Sequence, residues 1–135
     1  MILVINTADA EQVYIGLVSG NKLVINKQFP AKYRQAEELL PRIDKLLKGQ
    51  KIKLKDLKAI SVVSGPGPFT ALRIGITIAN TLAWALAIPI FSIILAEFDN
   101  KDQLIKIIQQ KFRAGKAGKI IEPYYGKEPN ITIKK

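Results

Sequence analysis

Apolar and polar positions follow three different rhythms along the chain. Residues 1–5 are apolar without interruption, as a strand covered on both faces requires. Residues 12–18 alternate, with Val13, Ile15 and Leu17 on one side, and predict a second strand. Ser19-Gly20-Asn21 supplies a hairpin turn. Residues 22–29 predict a third strand, with Leu23, Ile25 and Lys27 sharing a side. Strands joined this tightly form an antiparallel meander. The period then lengthens. Ala36, Leu39, Leu40, Ile43, Leu46 and Leu47 recur at helical spacing within residues 31–48. Pro41 lies among them, which implies either a late helix start or a bend, and Lys48-Gly49 ends the pattern. Residues 53–57 predict one short helical turn.

The third rhythm runs through residues 61–84, SVVSGPGPFTALRIGITIANTLAW, around which the rest is organised. A β-favouring run at residues 59–63 stops at Gly65-Pro66-Gly67-Pro68, where neither strand nor helix can continue. Pro68 suits the start of a helix, which runs from about Phe69 to about Ala87 and is closed by Pro89. Residues 90–94 follow as a strand, so strand, helix and strand make a parallel βαβ unit. No charged residue occurs between Arg73 and Glu97, a length sufficient to cross a bilayer. Scattered Thr77, Asn80, Thr81 and Ser92, and the break at Pro89, point instead to a buried helix and strand. Gly75, Ala79, Ala83 and Ala87 form a small-residue stripe, suited to a sheet beneath the helix or to a second helix across an interface.

Beyond Ala96 the chain becomes basic. Asp99 or Asn100 caps a helix over residues 101–113 with Leu104, Ile107, Ile108 and Phe112 inward. Residues 114–118 break it, residues 119–125 suit a last short strand, and residues 126–135 form a basic tail. The 135 residues make one domain or slightly more, and a hydrophobic fraction of 48% supports a folded core. There is no cysteine and no histidine, which removes thiolate sites, the commonest metal ligand and the commonest general base. The first apolar run lacks a preceding basic region, so no signal peptide is expected and the reading is cytoplasmic, without a membrane. A net charge of +10 invites nucleic acid, yet the lysines are spread without interleaved aromatics.

The most site-like stretch is GPGPFT. Backbone amides at a helix N-terminus attract anions, and Gly65, Gly67 and Thr70 are candidates for an anion cradle. The missing Lys-Ser/Thr pair and the two prolines favour an ordinary turn, and both readings stay open. Arg73 can pair with an anion, or with Asp9 or Glu37. Asn6 ends the first strand, where a nucleotide-binding α/β fold often carries a metal-liganding carboxylate; an amide brings no charge to a metal. No catalytic residue, metal ligand or cofactor is expected.

ILVINTA, AEELLPRIDKLL and DLKAISVVSGPGPFTALRIGITIANTLAWALAIPIFSI, in this order and spacing, resemble the TsaB (YeaZ) family over about two thirds of the chain. GPGPFTALRIG is the specific part, and EPYYGKEPNIT resembles that family's ending. The resemblance implies a ribonuclease-H-like α/β lobe of the actin and Hsp70 ATPase superfamily. Its sheet would be mixed and five-stranded, a meander plus the βαβ unit, over residues 1–98. Residues 99–135 would be what stands in place of a largely missing second lobe. The implied role is a non-catalytic partner of TsaD in making threonylcarbamoyladenosine in tRNAs that read ANN codons. TsaE and tRNA would be met through the assembled complex, and a homodimer of the isolated chain is left open. The family interface is a helical bundle, which implicates Leu39, Leu40, Ile43 and Leu47 on one helix. On the other it implicates Leu72, Gly75, Ile76, Ala79 and Ala83. On that reading Ala79→Arg or Leu40→Asp abolishes partner binding. The chain departs from the family at Asn6, an aspartate there, and at Pro68 and Ala71, a serine and a glycine there. Gln35 falls about where a histidine is common. Two other classes are an enzyme binding a nucleotide or anion at GPGPFT, and a basic tRNA-binding module.

Overall fold

The computed structural model describes residues 1–9, 11–30 and 35–114. Five strands, β1 (Ile2–Asn6), β2 (Gln12–Ser19), β3 (Lys22–Pro30), β4 (Ala59–Gly65) and β5 (Ile90–Ile94), form one sheet in the order β3-β2-β1-β4-β5. β1 pairs antiparallel with β2 and parallel with β4, so the meander and the βαβ unit meet on it. Three helices complete the fold: α1 (Gln35–Gly49), α2 (Phe69–Leu86) and α3 (Lys101–Ala114).

Alternate residues of β1 feed two cores, which is why its sequence is apolar throughout. Leu3 and Ile5 join Val13, Ile15 and Leu17 of β2 against Leu39, Ile43, Leu46 and Leu47 of α1 and Leu72, Ile76, Ala79 and Ala83 of α2. Ile2 and Val4 join Val18, Ala59, Phe91 and Ile93 against Ile108 of α3. Helices α1 and α2 therefore cover one face and α3 the other. By length and composition alone α2 could cross a membrane; here its inner face lies on the sheet.

Two expectations change and a third is narrowed. Leu23 and Ile25 do not share a side: Ile25 packs with the α1 core and Leu23 with the α3 core. The pairing slips between Leu17 and Val18, opposite Ile25 and Leu23, and the extra residue Val24 switches the side-chain alternation. Of the two readings of Pro41 the late start falls: α1 begins six residues before it and continues through it to Gly49. Glu37, whose carbonyl loses its helical partner at Pro41, is exposed, so water can replace that bond. Phe112, expected inward, is 37% exposed. Leu104, Ile105, Ile107 and Ile108 already fill the surface turned to the sheet, and Phe112 lies a turn beyond.

The caps explain where α3 starts. Asn100 Oδ1 accepts from the Gln103 amide at 2.9 Å, and Gln103 Oε1 accepts from the Asp99 amide at 2.6 Å. Near its end Lys111 Nζ donates to the Ser92 carbonyl at 2.6 Å and to Glu97 Oε1 at 3.0 Å, tying the helix to β5. Ile108 is the one fully buried side chain of α3. Ile108→Ala is expected to cost about 2–5 kcal/mol, measured by urea unfolding, because it opens a cavity under the only helix that the described residues place on that face. The expected last strand at residues 119–125 and the tail at 126–135 lie outside the described residues.

Candidate functional site

The turn between β4 and α2 is shaped by what lies beneath it. Ser64 and Gly65 end the strand in buried positions, and Gly65 has φ +134°, a conformation open mainly to glycine. The Gly65-Pro66 peptide is cis. Gly67 lies on the chain just after β1: a Cβ there would be 2.4 Å from the Ala8 carbonyl oxygen and 2.8 Å from Ala8 Cα. Pro68 stands at the N-cap, its carbonyl accepting from the Leu72 amide at 2.9 Å. One turn on, a Cβ on Gly75 would be 2.3 Å from Thr7 Oγ1. The two glycines let α2 settle onto Thr7 and Ala8.

That placement bears on the anion-cradle candidates. Gly65 is buried at the strand end, Gly67 faces the Ala8 backbone, and Thr70 is exposed on the opposite side of α2. The three do not converge on one cavity. Arg73 pairs with neither Asp9 nor Glu37: its guanidinium lies 5.3 Å from the centroid of the Phe69 ring. Asp9 Oδ1 instead accepts from the Glu11 and Gln12 amides, at 2.7 and 3.1 Å, and Asn6 Oδ1 accepts from the Ala8 amide at 2.9 Å. Among the described residues no group of three or more acidic, histidine or cysteine side chains is placed to hold a metal.

Of the nine residues assigned to a partner interface from the sequence, eight are buried within this chain. Leu39, Ile43, Leu47, Leu72, Gly75, Ile76, Ala79 and Ala83 face the chain's own core, and Leu40 alone is exposed, at 46%. A side chain enclosed by its own fold has no surface for a partner. The small-residue stripe serves the sheet: Gly75, Ala79 and Ala83 bring the α2 backbone close to it, and Ala87 is the left-handed C-cap. Ala79→Arg would therefore test folding before it tested binding.

The opposite side of α2 is the surface the fold leaves over. Trp84 is 84% exposed and Phe69 55%, with Thr77, Thr81 and Ala85 also exposed and Ile74 and Ile78 partly so. Thr81 Oγ1 donates to the Thr77 carbonyl at 2.8 Å, so this threonine turns its polarity back into the helix and presents a methyl group. A groove of about 360 Å³ runs beside α1, lined by Ala36, Phe69, Thr70, Arg73, Ile74, Thr77 and Ile78. Trp84 and Ile78 were missed from the sequence, although a signal was present. A helix with its small residues turned inward must turn the residues on its other side outward, and after Arg73 none of those is charged. A larger cleft of about 760 Å³ between β3 and α1 is lined by both signs of charge. There Arg42 lies 4.3 Å over Phe29 and 3.2 Å from Glu38, so its charge is already engaged.

A five-stranded sheet in the order 3-2-1-4-5, three strands antiparallel and then a parallel βαβ unit, defines an α/β protein of the ribonuclease-H-like class. RuvC of Thermus thermophilus, bound to a Holliday junction, shares this fold at a TM-score of 0.51 and 10% identity, over 71% of this chain and 65% of that one. YeaZ from Pseudomonas aeruginosa superimposes at a TM-score of 0.65 and 24% identity, over 84% of this chain and 49% of that one.

The model of the family described as TsaD, tRNA N6-adenosine threonylcarbamoyltransferase, matches residues 30–95. The tRNA threonylcarbamoyladenosine biosynthesis protein TsaB of Buchnera aphidicola (from Schizaphis graminum) is 42% identical over 72 residues, 53% of this chain and 34% of the relative. That of Bacillus subtilis is 40% identical over 62 residues, 46% of this chain and 27% of the relative. The chain belongs to the TsaB (YeaZ) family. It spans less than half the length of these relatives.

Proposed function

We propose that this chain is a non-catalytic subunit in the synthesis of threonylcarbamoyladenosine in tRNAs that read ANN codons. It acts in the cytoplasm by pairing one-to-one with TsaD through the outer face of α2 and the adjoining Ala36 and Leu40 of α1. The observation that carries the reading is that face: an exposed tryptophan and an uncharged row of Thr, Ile and Ala beside it. Burying it stabilises a complex by roughly 25 cal/mol per Å² before the cost of association is subtracted. The TsaB names of the relatives point to the pathway, and TsaD as the partner is what the family resemblance implies. Residues 1–98 carry the lobe, and residues 99–135 are an appended segment whose helix α3 covers the free side of the sheet. TsaE and tRNA are engaged through the assembled complex.

Co-purification with TsaD from the same organism, followed by light scattering, is expected to show a stable one-to-one complex. Two folded samples that remain separate would refute the pairing.

A further inference from the structure

The side of the sheet opposite to α1 and α2 carries a second cleft. It holds about 240 Å³ between β1–β3 and the start of α3. This is below the roughly 300 Å³ at which pockets for drug-sized ligands begin, and suits one planar ring system. Its floor is a polar row. Asn6, Tyr14 and Gln28 stand in register across β1, β2 and β3, with Asn26 beside Gly16 in the next row. Asn6 Oδ1 is taken by the Ala8 amide, which leaves its Nδ2 as a donor. Tyr14, Asn26 and Gln28 have no side-chain partner among the described residues. Phe98 and Leu104 supply an aromatic and an aliphatic wall, and Lys101 stands at the mouth. Among the described residues no carboxylate lines the cleft.

Each feature narrows the ligand. Side-chain amides and a phenol in one row match the in-plane donors and acceptors of a nucleobase edge. An aromatic wall suits stacking of the ring. The lysine, the missing carboxylate and the net charge of +10 suit a phosphate backbone. Free nucleoside di- or triphosphates are a poorer match, because among the described residues one lysine is the whole phosphate-binding provision of the lining. A strand can add further contacts to lysines outside the cleft, which the net charge of +10 makes numerous.

We infer that the cleft formed by Asn6, Tyr14, Asn26, Gln28, Phe98 and Lys101 binds one base of an unpaired RNA strand. The inference does not depend on pairing with TsaD, which uses the other side of the sheet, and it is tested on the full chain alone. The probe is a fluorescein-labelled single-stranded RNA decamer of mixed sequence, followed by anisotropy at about 50 mM salt, where phosphate contacts are strong. Saturable binding is expected, weakening as salt rises. Gln28→Leu and Lys101→Glu are each expected to weaken it about tenfold, the scale of one lost base contact. Lys55→Glu makes the same charge change away from the cleft and is expected to change affinity by less than about twofold. All three positions are exposed, so thermal unfolding should be unaltered.

Three results would overturn the inference. One is no binding. Another is equal loss from Lys101→Glu and Lys55→Glu with none from Gln28→Leu, which means diffuse attraction only. The last is displacement by AMP as effective as by unlabelled strand, which makes a free nucleotide the ligand.

Discussion

Trp84→Asp combined with Thr77→Arg is expected to leave the fold intact and weaken TsaD binding at least about a hundredfold, or about 3 kcal/mol. Both side chains are exposed, so their replacement removes little from the core and should move stability by no more than about 0.5 kcal/mol. Across an interface the same charges would be buried without partners, and that cost falls on the complex alone. Titration calorimetry against TsaD, with thermal unfolding of the free variant as control, separates the two. Ala79→Arg is the informative contrast. Ala79 is 0% exposed between α2 and the sheet, so arginine there should abolish folding itself. A variant altered at Trp84 and Thr77 that binds TsaD as the unaltered chain does would move the interface away from α2.

Gly67→Ala is expected to destabilise the chain by about 3 kcal/mol or more, near the upper end for overpacking. The new methyl group would meet backbone atoms of Ala8, at 2.4 to 2.9 Å, and backbone just after a central strand cannot step aside as a flexible side chain can. Gly49→Ala provides the control, since nothing lies within 4 Å of a Cβ there, and it should stay within about 0.5 kcal/mol of the parent. Gly75→Ala should fall between them. It meets the Thr7 side chain, and alanine improves helix propensity by about 1 kcal/mol. Thr7→Ala removes the clashing methyl group and the clashing Oγ1, which is also buried without a partner, so the double variant should recover part of the loss. Urea unfolding measures all four. If Gly67→Ala proved as stable as Gly49→Ala, the close contact between the turn and Ala8 would be wrong.

Local signals located the elements well. The alternation of Val13, Ile15 and Leu17, the unbroken β1 run and the helical recurrence of Leu39, Ile43, Leu46 and Leu47 each reappear as buried surface, because a single period of pleat or helix decides them. Hairpin register was less legible. Nothing between Lys22 and Phe29 marks Val24 as the extra residue, since a bulge depends on how two strands meet. Pro41 was ambiguous for a similar reason: its cost depends on whether the orphaned carbonyl reaches water.

The candidate interface illustrates the remaining gap. An apolar face on α1 and a small-residue stripe on α2 were both visible, and both suited a partner as well as a sheet. Composition and spacing do not say which neighbour a surface meets. Once the sheet occupied the stripe, the available surface became the opposite side, with Trp84 at its centre of exposure. The cleft beside α3 was wholly out of reach, since Asn6, Tyr14, Gln28 and Lys101 come together only through strand pairing and the docking of a distant helix.

By itself the sequence determined the order of strands and helices, the break at Gly65–Pro68, the absence of histidine and cysteine chemistry, and the family resemblance in GPGPFTALRIG. Those depend on residue types and spacings over a few turns of chain. Tertiary structure alone decided which side of α2 is left exposed, why Gly67 and Gly75 must lack side chains, and which polar residues share a cleft. Each of these is a relation between segments far apart in sequence, and close packing settles it only when the sheet and its helices are in place.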